Sequence, residues 1–393
     1  MRTDKKRILL LSAYDAASHR AWRTRLEKLL PEYQWTQLVL APRNFNWKIR
    51  GNSLIWAHKE AETLKQNYDL LIATSMVDLS SLRGFLPELA HIPSIVYFHE
   101  NQFLYPMAQQ RVENIEHQLV PLYSALCCDE IVFNSRFNQE SFLEGARSLI
   151  KKLPDKLPKS ILEKLESSKV IGVPLSLETN PRECLTKENA IKPAATGKPV
   201  LELLWNHRWE YDKGPGLLLE VIKMITDQSL PIKIHIVGEG FREQPVEFSE
   251  ISILLRQHEQ KLGLSAAEFG FVDDVGKYQT LQGSCDVVLS TALHDFQGLA
   301  IQEACTMGCT PLTPNDLVYP EYLDEKFLYQ RGDNDRASAL EIVKRLRLWL
   351  DIINSNGKLP KAELEDYEQE SLRQRYQSLI ENMIAANDRN SGI

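Results

Sequence analysis

The fold is predicted by the stretch Asp286-Val287-Val288-Leu289-Ser290-Thr291 and, two residues later, His294-Asp295-Phe296-Gln297-Gly298-Leu299-Ala300-Ile301-Gln302-Glu303. The first part has the pattern of a short buried strand, and residues 299–307 have the apolar and small pattern of a helix. Asp295 is therefore expected in a strand-to-helix loop. Glu303 is expected about a turn and a half into the helix, roughly 7 Å along its axis.

Gly298 and the helix start predict an anion site. Glycine lets the backbone approach a ligand closely, and the N–H groups at a helix N-terminus favour an anion. The carboxylates of Asp295 and Glu303 would accept hydrogen bonds from sugar hydroxyl groups. A sugar nucleotide needs both kinds of contact, although an ordinary helix that carries two acids is the alternative explanation of the same spacing.

A chain of 393 residues is long enough for two sizeable α/β domains. The alternation of strands and helices runs once through residues 1–176 and restarts at residue 199. The polar segment 177–198 has prolines and no clear period, so we interpret it as a linker. The chain should turn helical from about Ala337, and we expect the final helices to return toward the first domain.

Composition limits the class of protein. The apolar run Ile8–Leu11 is too short for a signal peptide, and no stretch approaches 18 apolar residues, which predicts a soluble cytoplasmic protein. The six cysteines have no metal-like spacing with histidines, so we expect small core thiols. The alternative is a metal site or a disulfide formed by Cys305 and Cys309 across a helix end.

The net charge of −7 conceals an asymmetry. Residues 1–180 carry 23 Lys and Arg against 20 Asp and Glu, whereas residues 181–393 carry 23 against 33. An acidic chain is not typical of a general nucleic-acid binder. The basic first half nevertheless allows a localised face that binds a polyanion.

Polar side chains follow several predicted strands of the first half. His99-Glu100-Asn101-Gln102 follows the strand that ends at Phe98, and Asn134 ends another strand. Open α/β sheets bind ligands at such carboxyl ends. The loop 15–19 after the first strand ends in His19 and lacks a Gly-x-Gly-x-x-Gly fingerprint, which argues against a dinucleotide there.

A second candidate in the first half is the segment 42–52, which mixes basic and aromatic residues and is predicted to be a loop. Its residues Arg43, Trp47, Lys48 and Arg50 are suited to base stacking and phosphate contact. The alternative is a surface loop anchored by its aromatic residues. The lysines of segment 147–169 are a possible further phosphate face, although a solvated helix face explains such runs as well.

The second half places two cations near a helix start. Arg208 and Lys213 follow the strand 201–207 and precede a helix that begins near Gly216. Such cations would bind a diphosphate and stabilise the charge of a leaving group.

Four phrases of the sequence resemble the tRNA-queuosine α-mannosyltransferase family, and they occur in order across both halves. The phrases are Tyr97-Phe98-His99-Glu100-Asn101-Gln102, Val132-Phe133-Asn134-Ser135-Arg136-Phe137-Asn138, His207-Arg208-Trp209-Glu210-Tyr211-Asp212-Lys213 and Asp316-Leu317-Val318-Tyr319-Pro320-Glu321. Arg208, Lys213 and the pair Asp295-x7-Glu303 also resemble the retaining glycosyltransferase family 4, where the pair is usually Glu-x7-Glu. The family's early Gly-Gly-Ser-His loop is represented by residues 16–19, which keep the histidine.

The resemblance implies a fold, a reaction and two substrates. The fold is α/β of the GT-B type, with two doubly wound Rossmann-like domains that face a cleft. The reaction is retaining transfer of mannose from GDP-mannose to the cyclopentenediol of queuosine in the anticodon of an aspartate tRNA. The basic first half fits that acceptor, because a tRNA is bound by Lys and Arg and a modified anticodon base is presented outside the stack. No cofactor and no metal are expected, and no membrane partner.

The resemblance also implies roles for individual residues. His99 and Asp295 would position the mannose, and Arg208 and Lys213 would hold the diphosphate. The remaining donor-binding residues would be Gly238, Glu239, Val272, Phe296, Gly298, Leu299 and Glu303. The acceptor-binding residues would be His19, Glu100, Asn101, Gln102, Asn134, Arg43, Trp47, Lys48 and Arg50.

Two mechanisms and two other functions stay open. Retention can proceed by front-face attack, which we favour, or through a covalent intermediate, for which Glu100 is the nearby carboxylate. One alternative function is a family-4 enzyme with a lipid-linked or other glycan acceptor, docked by a basic amphipathic helix at residues 20–30. The other is an inactive tRNA-binding homologue.

Overall fold

The structure is a computed structural model that describes residues 5–104, 115–175, 199–240 and 244–391. The chain divides into two compact units. The first comprises Met1–Leu177 and Glu365–Ile393, and the second comprises Glu178–Leu364. The predicted linker 177–198 and Cys184 lie outside the described residues.

The first unit contains a parallel sheet in the order β2-β1-β3-β4-β5-β6. Its central strands are apolar runs that are buried along their whole length, as expected for strands covered by helices on both faces. The strands are β1 (Arg7–Ser12), β2 (Gln34–Val39), β3 (Leu70–Thr74), β4 (Ser94–Phe98), β5 (Glu130–Phe133) and β6 (Lys169–Val170). The strand order reverses between β1 and β3, so the carboxyl ends near this point form the preferred ligand edge.

Helices connect these strands. They are α1 (Ala17–Leu29), α2 (Phe45–Lys59), α3 (Ala61–Leu64), α4 (Leu79–Phe85), α5 (Glu116–Cys127), α6 (Arg136–Lys152) and α7 (Ser160–Glu166). Helix α1 begins three residues before the predicted start, so the prediction that His19 lies in a loop is wrong. Alanine is the strongest helix former, and Ala17 extends the helix toward the strand.

The prediction of a loop at residues 42–52 is also wrong, because helix α2 runs through most of that segment. Gly51 and Asn52 have turn-like character in the sequence, but both lie within the helix, and Asn52 has a tertiary contact that holds it there. A Cβ at Gly51 would lie 2.5 Å from the ring of Trp47. The buried Asn52 amide donates to the backbone oxygens of Lys48, at 2.6 Å, and Met76, at 3.1 Å.

The second unit contains a parallel sheet in the order β12-β11-β10-β7-β8-β9. Its strands are β7 (Leu201–Trp205), β8 (Ile232–Val237), β9 (Phe269–Gly270), β10 (Val287–Leu289), β11 (Thr310–Pro314) and β12 (Leu328–Tyr329). Its helices are α8 (Pro215–Asp227), α9 (Glu247–Leu262), α10 (Val275–Ser284), α11 (Leu299–Thr306) and α12 (Asp335–Asn354). The order reverses between β7 and β10, and the loops after these two strands carry Arg208, Lys213 and Asp295.

The final helix α13 (Gln369–Ser391) belongs to the first unit. It buries Leu372, Tyr376 and Ile380 there. The Arg373 guanidinium donates to Glu32 at 3.0 Å and to the Leu29 oxygen. The prediction of continuous helix from Ala337 is wrong, because residues 355–364 separate α12 from the last turns; Gly357 and Pro360 lie in that break.

Two further findings concern the described residues as a whole. Among them, no helix has the length and apolarity needed to span a membrane. The described cysteines are free thiols, and the Sγ of Cys309 donates to the backbone oxygens of Gln282 and Cys285 at 3.1 and 3.5 Å. The prediction of small core thiols is confirmed for Cys128, Cys285 and Cys309, which are buried.

Candidate active-site residues of the two units

Gly298 joins β10 to α11 in the conformation that the sequence requires. Its φ is 71°, in the left-handed region that favours glycine. A Cβ there would lie 2.5 Å from the Tyr322 hydroxyl and 2.9 Å from the ring of Tyr319. The start of α11 has no side-chain cap, so its N–H groups are suited to an anionic ligand.

Asp295 is held from several sides. Its Oδ1 accepts from the Gly298 N–H at 2.9 Å, and its Oδ2 accepts from the Tyr319 hydroxyl at 3.2 Å. The Lys213 ammonium lies 3.7 Å from the same Oδ2. Burial by itself raises the pKa of Asp295, but Lys213 and neighbouring groups hold that pKa below its ordinary value. The carboxylate is therefore ionised at neutral pH.

Lys213 is buried beneath the loop that follows β10. Its Nζ donates to the His294 oxygen at 2.7 Å and lies 3.3 Å from Asp212 Oδ2. An ammonium has three N–H groups, and the third neighbouring oxygen, Asp295 Oδ2 at 3.7 Å, is beyond ordinary hydrogen-bond length, so donor capacity is left for an anionic ligand. Thr291 Oγ1 donates to the Lys213 oxygen at 2.8 Å and ties the loops together. Gly214 permits this approach, since a Cβ there would lie 2.1 Å from the Thr291 oxygen.

Arg208 supplies the second cation of this site. Its guanidinium lies 2.8 Å from Glu210 and 3.9 Å from Asp212, and its side chain is 42% exposed. Arg208, Lys213 and Asp295 are thus brought to one place, as the sequence predicted from their separate strand ends. Asp212 links Arg208 to Lys213, and Lys213 lies beside Asp295.

The other predicted donor residues lie on neighbouring loops of the same sheet. Glu303 is half-buried on α11, and Phe296 is buried with its ring centroid 4.5 Å from that of His294. A Cβ at Gly238 would lie 1.8 Å from the His207 oxygen, and the Trp209 N–H donates to the Glu239 oxygen at 2.9 Å. The loops after β7 and β8 are therefore joined. Val272 follows β9 and is half-buried.

Sequence reasoning missed His207, His294 and Tyr319 as members of this cluster. Burial, reinforced by Lys213, lowers the pKa of both His207 and His294 to about 4. Tyr319 is fully buried against Asp295. His207 and Tyr319 stand inside two of the phrases that carry the family resemblance, and His294 directly precedes Asp295, so those positions were the signal that could have identified them.

The first unit places two histidines in a stack. His19, in the first turn of α1, and His99, after β4, have ring centroids 4.2 Å apart and an interplanar angle of 26°. Both are buried, and the buried His19 Nδ1 and His99 Nε2 have no hydrogen-bond partner among the residues that the structure describes. Burial lowers the pKa of His19 to about 4 and that of His99 well below its ordinary value. A neutral imidazole pair with unpaired ring nitrogens can bind hydroxyl groups.

Aromatic rings surround this pair. The Trp22 ring lies 4.8 Å from that of His99, and the Tyr97 ring lies 4.7 Å from it. Trp22 stacks on Tyr97 at 4.4 Å, and its Nε1 donates to the Tyr376 hydroxyl at 3.0 Å. The final helix α13 therefore contributes to the surroundings of the histidine pair through Trp22.

The buried histidines should make the free energy of unfolding depend on pH. The direction of that dependence follows from the pKa of about 4 for His19, His207 and His294. Below the ordinary value of 6.5 the unfolded state binds more protons than the folded state, so stability falls as the pH decreases toward 4. Each histidine should contribute a slope of up to about 1.4 kcal/mol per pH unit. Thermal unfolding at pH 7 and pH 5 measures this: we expect a lower midpoint at pH 5 and a smaller difference in His19→Gln. Equal midpoints would contradict the prediction.

The predicted acceptor residues Asn101 and Asn134 are buried in a network of amides. Asn134 Nδ2 donates to the His99 oxygen at 2.9 Å. Asn138 Nδ2 donates to Asn134 Oδ1 at 2.8 Å, and Asn101 Nδ2 donates to Asn138 Oδ1 at 2.8 Å. These contacts fix the backbone that carries His99, so the structure supports a positioning role for both residues. Glu100 and Gln102 alternate with them along the chain and are half-buried.

Asn138→Ala should test this network. It removes a donor to Asn134 and the acceptor of Asn101, and it leaves buried amide atoms unpaired. We expect a loss of about 2 to 4 kcal/mol in the free energy of unfolding. Denaturant unfolding measures it, with the exposed Asn46→Ala as control. A loss no larger than that of the control would show that the network is not stabilising.

Helix α2 distributes the predicted phosphate-contacting residues differently from a loop. Lys48 is buried and donates to the Ala41 oxygen, and Arg50 is paired with Asp78 at 3.0 Å and with Glu116. Trp47 is 56% exposed, and Arg43 is exposed before the helix. Arg43, Trp47 and the 41% exposed Arg50 therefore face solvent, although Arg50 is ion-paired, whereas Lys48 does not.

Helix α1 uses its apolar face inside the first unit. Trp22, Leu26 and Leu29 are buried. Arg23 is paired with Asp15 at 2.8 Å, and Arg25 donates to the Pro174 oxygen at 3.0 Å. The amphipathic pattern that raised a membrane-docking alternative is therefore explained by packing.

Two parallel α/β sheets, with a lysine, an arginine and a carboxylate at the switch point of the second, define a glycosyltransferase of the GT-B fold. Solved structures share this fold over nearly the whole chain. Sucrose-phosphate synthase from Thermosynechococcus elongatus has a TM-score of 0.63 at 14% identity and covers 97% of this chain and 100% of its own. HepE from Anabaena, in complex with UDP and glucose, has a TM-score of 0.57 at 15% identity and covers 96% and 100%.

The family is shown by two comparisons of sequence. Residues 7–175 match the N-terminal model of tRNA-queuosine alpha-mannosyltransferase. The tRNA-queuosine alpha-mannosyltransferase of Drosophila melanogaster is 32% identical over 332 residues, which are 84% of this chain and 85% of the relative. The chain belongs to the tRNA-queuosine alpha-mannosyltransferase family.

Proposed function

We propose that the protein transfers mannose from GDP-mannose to the cyclopentenediol of queuosine in the anticodon of tRNA(Asp), with retention of configuration. The observation that carries the proposal is the placement of Lys213 3.7 Å from Asp295 beside the uncapped start of α11, in a chain of this family. A cation, a carboxylate and a helix N-terminus match the diphosphate and the hydroxyl groups of a nucleotide sugar.

The second unit is assigned the donor. Lys213, Arg208 and the helix start at Gly298 and Leu299 bind the diphosphate and stabilise the charge that develops as it leaves. The Leu299 N–H is the donor there, because the Gly298 N–H already donates to Asp295 Oδ1. Asp295 accepts from hydroxyl groups of the hexose, and Glu303 accepts from those of the ribose. The loops at Gly238, Glu239 and Val272 line the nucleobase. These cations serve the purpose for which other enzymes use a metal ion, and we propose that transfer needs none.

The first unit is assigned the acceptor. His19 Nδ1 and His99 Nε2 are buried ring nitrogens without a partner in the described part of the chain, and they support hydrogen bonds to substrate hydroxyl groups. Arg43 and Trp47 are exposed and support contact with phosphate and base. The positive balance of residues 1–180 supports a polyanionic acceptor.

Retention is proposed to proceed by front-face attack. The acceptor hydroxyl bonds to the anomeric carbon on the face from which the diphosphate leaves, and the departing phosphate oxygen takes the hydroxyl proton. A covalent route would need a carboxylate beneath the anomeric carbon, and Glu100 is the candidate. Detection of a trapped mannosyl-enzyme by intact mass would overturn front-face attack.

A transfer assay tests the proposed function. The purified protein is incubated with GDP-mannose and queuosine-containing tRNA(Asp), and the digested nucleosides are examined for an added hexose. UDP-galactose, and tRNA that lacks queuosine, are the controls. Transfer only with GDP-mannose and the queuosine tRNA, also in excess EDTA, is the expected result. Binding of the tRNA without transfer from any donor would instead favour an inactive tRNA-binding protein.

A further inference from the structure

Tyr319 is a buried residue of the site to which the proposed function assigns no task. It follows β11 and lies in the phrase Asp316–Glu321. It is fully buried, and its hydroxyl lies 2.7 Å from Ser290 Oγ and 3.2 Å from Asp295 Oδ2. The tyrosine therefore connects the end of β10 with the carboxylate assigned to the sugar.

The direction of each hydrogen bond in this group can be assigned. An ionised carboxylate only accepts, so the Tyr319 hydroxyl donates to Asp295. The Ser290 hydroxyl accepts from the Ala292 N–H at 3.3 Å, and its own proton is directed to the Tyr319 oxygen. The result is a relay in which Ser290 donates to Tyr319 and Tyr319 donates to Asp295.

The relay fixes the carboxylate together with the helix start. Gly298 donates to Oδ1 while Tyr319 donates to Oδ2, so the two oxygens are held from different elements. The ring of Tyr319 also packs where a Cβ of residue 298 would stand, at 2.9 Å. One residue thus sets the carboxylate and limits the position of the backbone at the phosphate-binding end of α11.

We propose that Tyr319 is a positioning residue for the donor sugar, acting through Asp295 rather than by contact with the substrate. The inference rests on the proposed function, because it takes the ligand of Asp295 to be the hexose of a nucleotide sugar.

Tyr319→Phe is the first test, because it keeps the ring and removes only the hydroxyl. We expect kcat/KM for the nucleotide sugar to fall about 10- to 100-fold, the size expected for loss of one hydrogen bond to a charged group. Affinity for the nucleoside diphosphate alone should change less than about twofold, since that ligand lacks the sugar.

Tyr329→Phe is the matched control. Tyr329 is also buried near Ser290, but its hydroxyl donates to the Ser290 backbone oxygen at 3.1 Å. Removing that hydroxyl disturbs the same region without touching Asp295. Its kcat/KM should stay within about twofold of the unaltered protein. A loss equal to that of Tyr319→Phe would show a structural effect and overturn the proposal.

A double-mutant cycle with Asp295→Ala distinguishes a role through Asp295 from any other. If Tyr319 acts through the carboxylate, Tyr319→Phe should cause no further loss of kcat/KM in the Asp295→Ala background. Independent, multiplying losses would overturn the proposal. The same cycle on thermal unfolding midpoints should show coupling between the two positions.

The cycle separates this inference from the proposed function. If the unaltered protein does not use GDP-mannose, the donor assignment fails, and the cycle is measured with the nucleotide sugar that it transfers or hydrolyses. If the protein turns over no nucleotide sugar, a difference in affinity is measured in place of kcat/KM. That difference is the gain in affinity of the nucleotide sugar over the nucleoside diphosphate alone. Absence of any such gain, or of coupling in the unfolding midpoints, would overturn the role of Tyr319.

Discussion

Lys213→Met is expected to reduce transfer by about 10²- to 10³-fold, the loss measured when one preorganised donor to a developing anion is removed. The ammonium is buried between the His294 oxygen and the carboxylates of Asp212 and Asp295. Its position is therefore fixed before the donor binds, and no energy is needed to orient it as the diphosphate leaves. Methionine keeps the apolar stem and removes the charge, so the change tests the electrostatic contribution.

The control for this prediction is Lys223→Met in the same unit. Lys223 also contacts carboxylates, at 3.5 Å from Glu220 and 3.1 Å from Glu250, but it lies on helix α8. Single-turnover transfer rates and thermal midpoints should be measured for both variants. We expect a large loss of rate only for Lys213→Met. Equal rates in the two variants, both folded, would refute the assignment of Lys213 to the leaving group.

In the second half of the chain, the meeting of the candidate residues could be predicted from the sequence because each of them follows the end of a strand. Arg208, Lys213 and Asp295 each follow a parallel strand, and parallel strands end at one edge of a sheet. The pairing of β7 with β10 then brings them together. Sequence order does not show which neighbouring strands lie beside them, so Tyr319 was not assigned to the cluster.

The predictions that were wrong depended on residues whose local preference is overruled by distant contacts. Asn52 is a turn former, but it stays in α2 because its buried amide bonds to the Met76 oxygen. The prediction of a loop at residues 42–52 failed because the sequence shows such local preferences but not the contacts that overrule them. Arg50 is paired with Asp78 while 41% of its side chain is exposed, so its contact with phosphate stays a prediction. Such contacts between residues far apart in sequence have no local pattern.

The stack of His19 on His99 was equally invisible in the sequence. It arises because β1 and β4 are both neighbours of β3, so that the chain segments after them meet at one edge. The aromatic residues that enclose the pair come from α1, β4 and the final helix α13. Residues 22, 97 and 376 are separated by most of the chain, and only the fold shows that they act together.

His99→Ala is expected to lower the rate of transfer by about 10²-fold. This lies within the range for loss of a side chain that forms a hydrogen bond with the reacting substrate. The imidazole is held by the rings of Trp22 and Tyr97, which fix the direction of its Nε2, and no described residue of the protein hydrogen-bonds to that atom. Its pKa lies well below the ordinary value because burial disfavours the charged form. A neutral ring neither repels Lys or Arg nor changes charge near neutral pH.

The low pKa of His99 also predicts how the rate of transfer depends on pH. If His99 acts as a neutral hydrogen-bonding group, transfer by the unaltered protein should show no step near pH 6.5 that His99→Ala removes. Rates between pH 5.5 and 8 for both proteins measure this, with the exposed His91→Ala as control for the loss of an imidazole. A step that disappears with His99 would mean that the ring is protonated in the working enzyme. Substrate binding would then have to return water or negative charge to this site, since burial and the neighbouring His19 lower the pKa of His99.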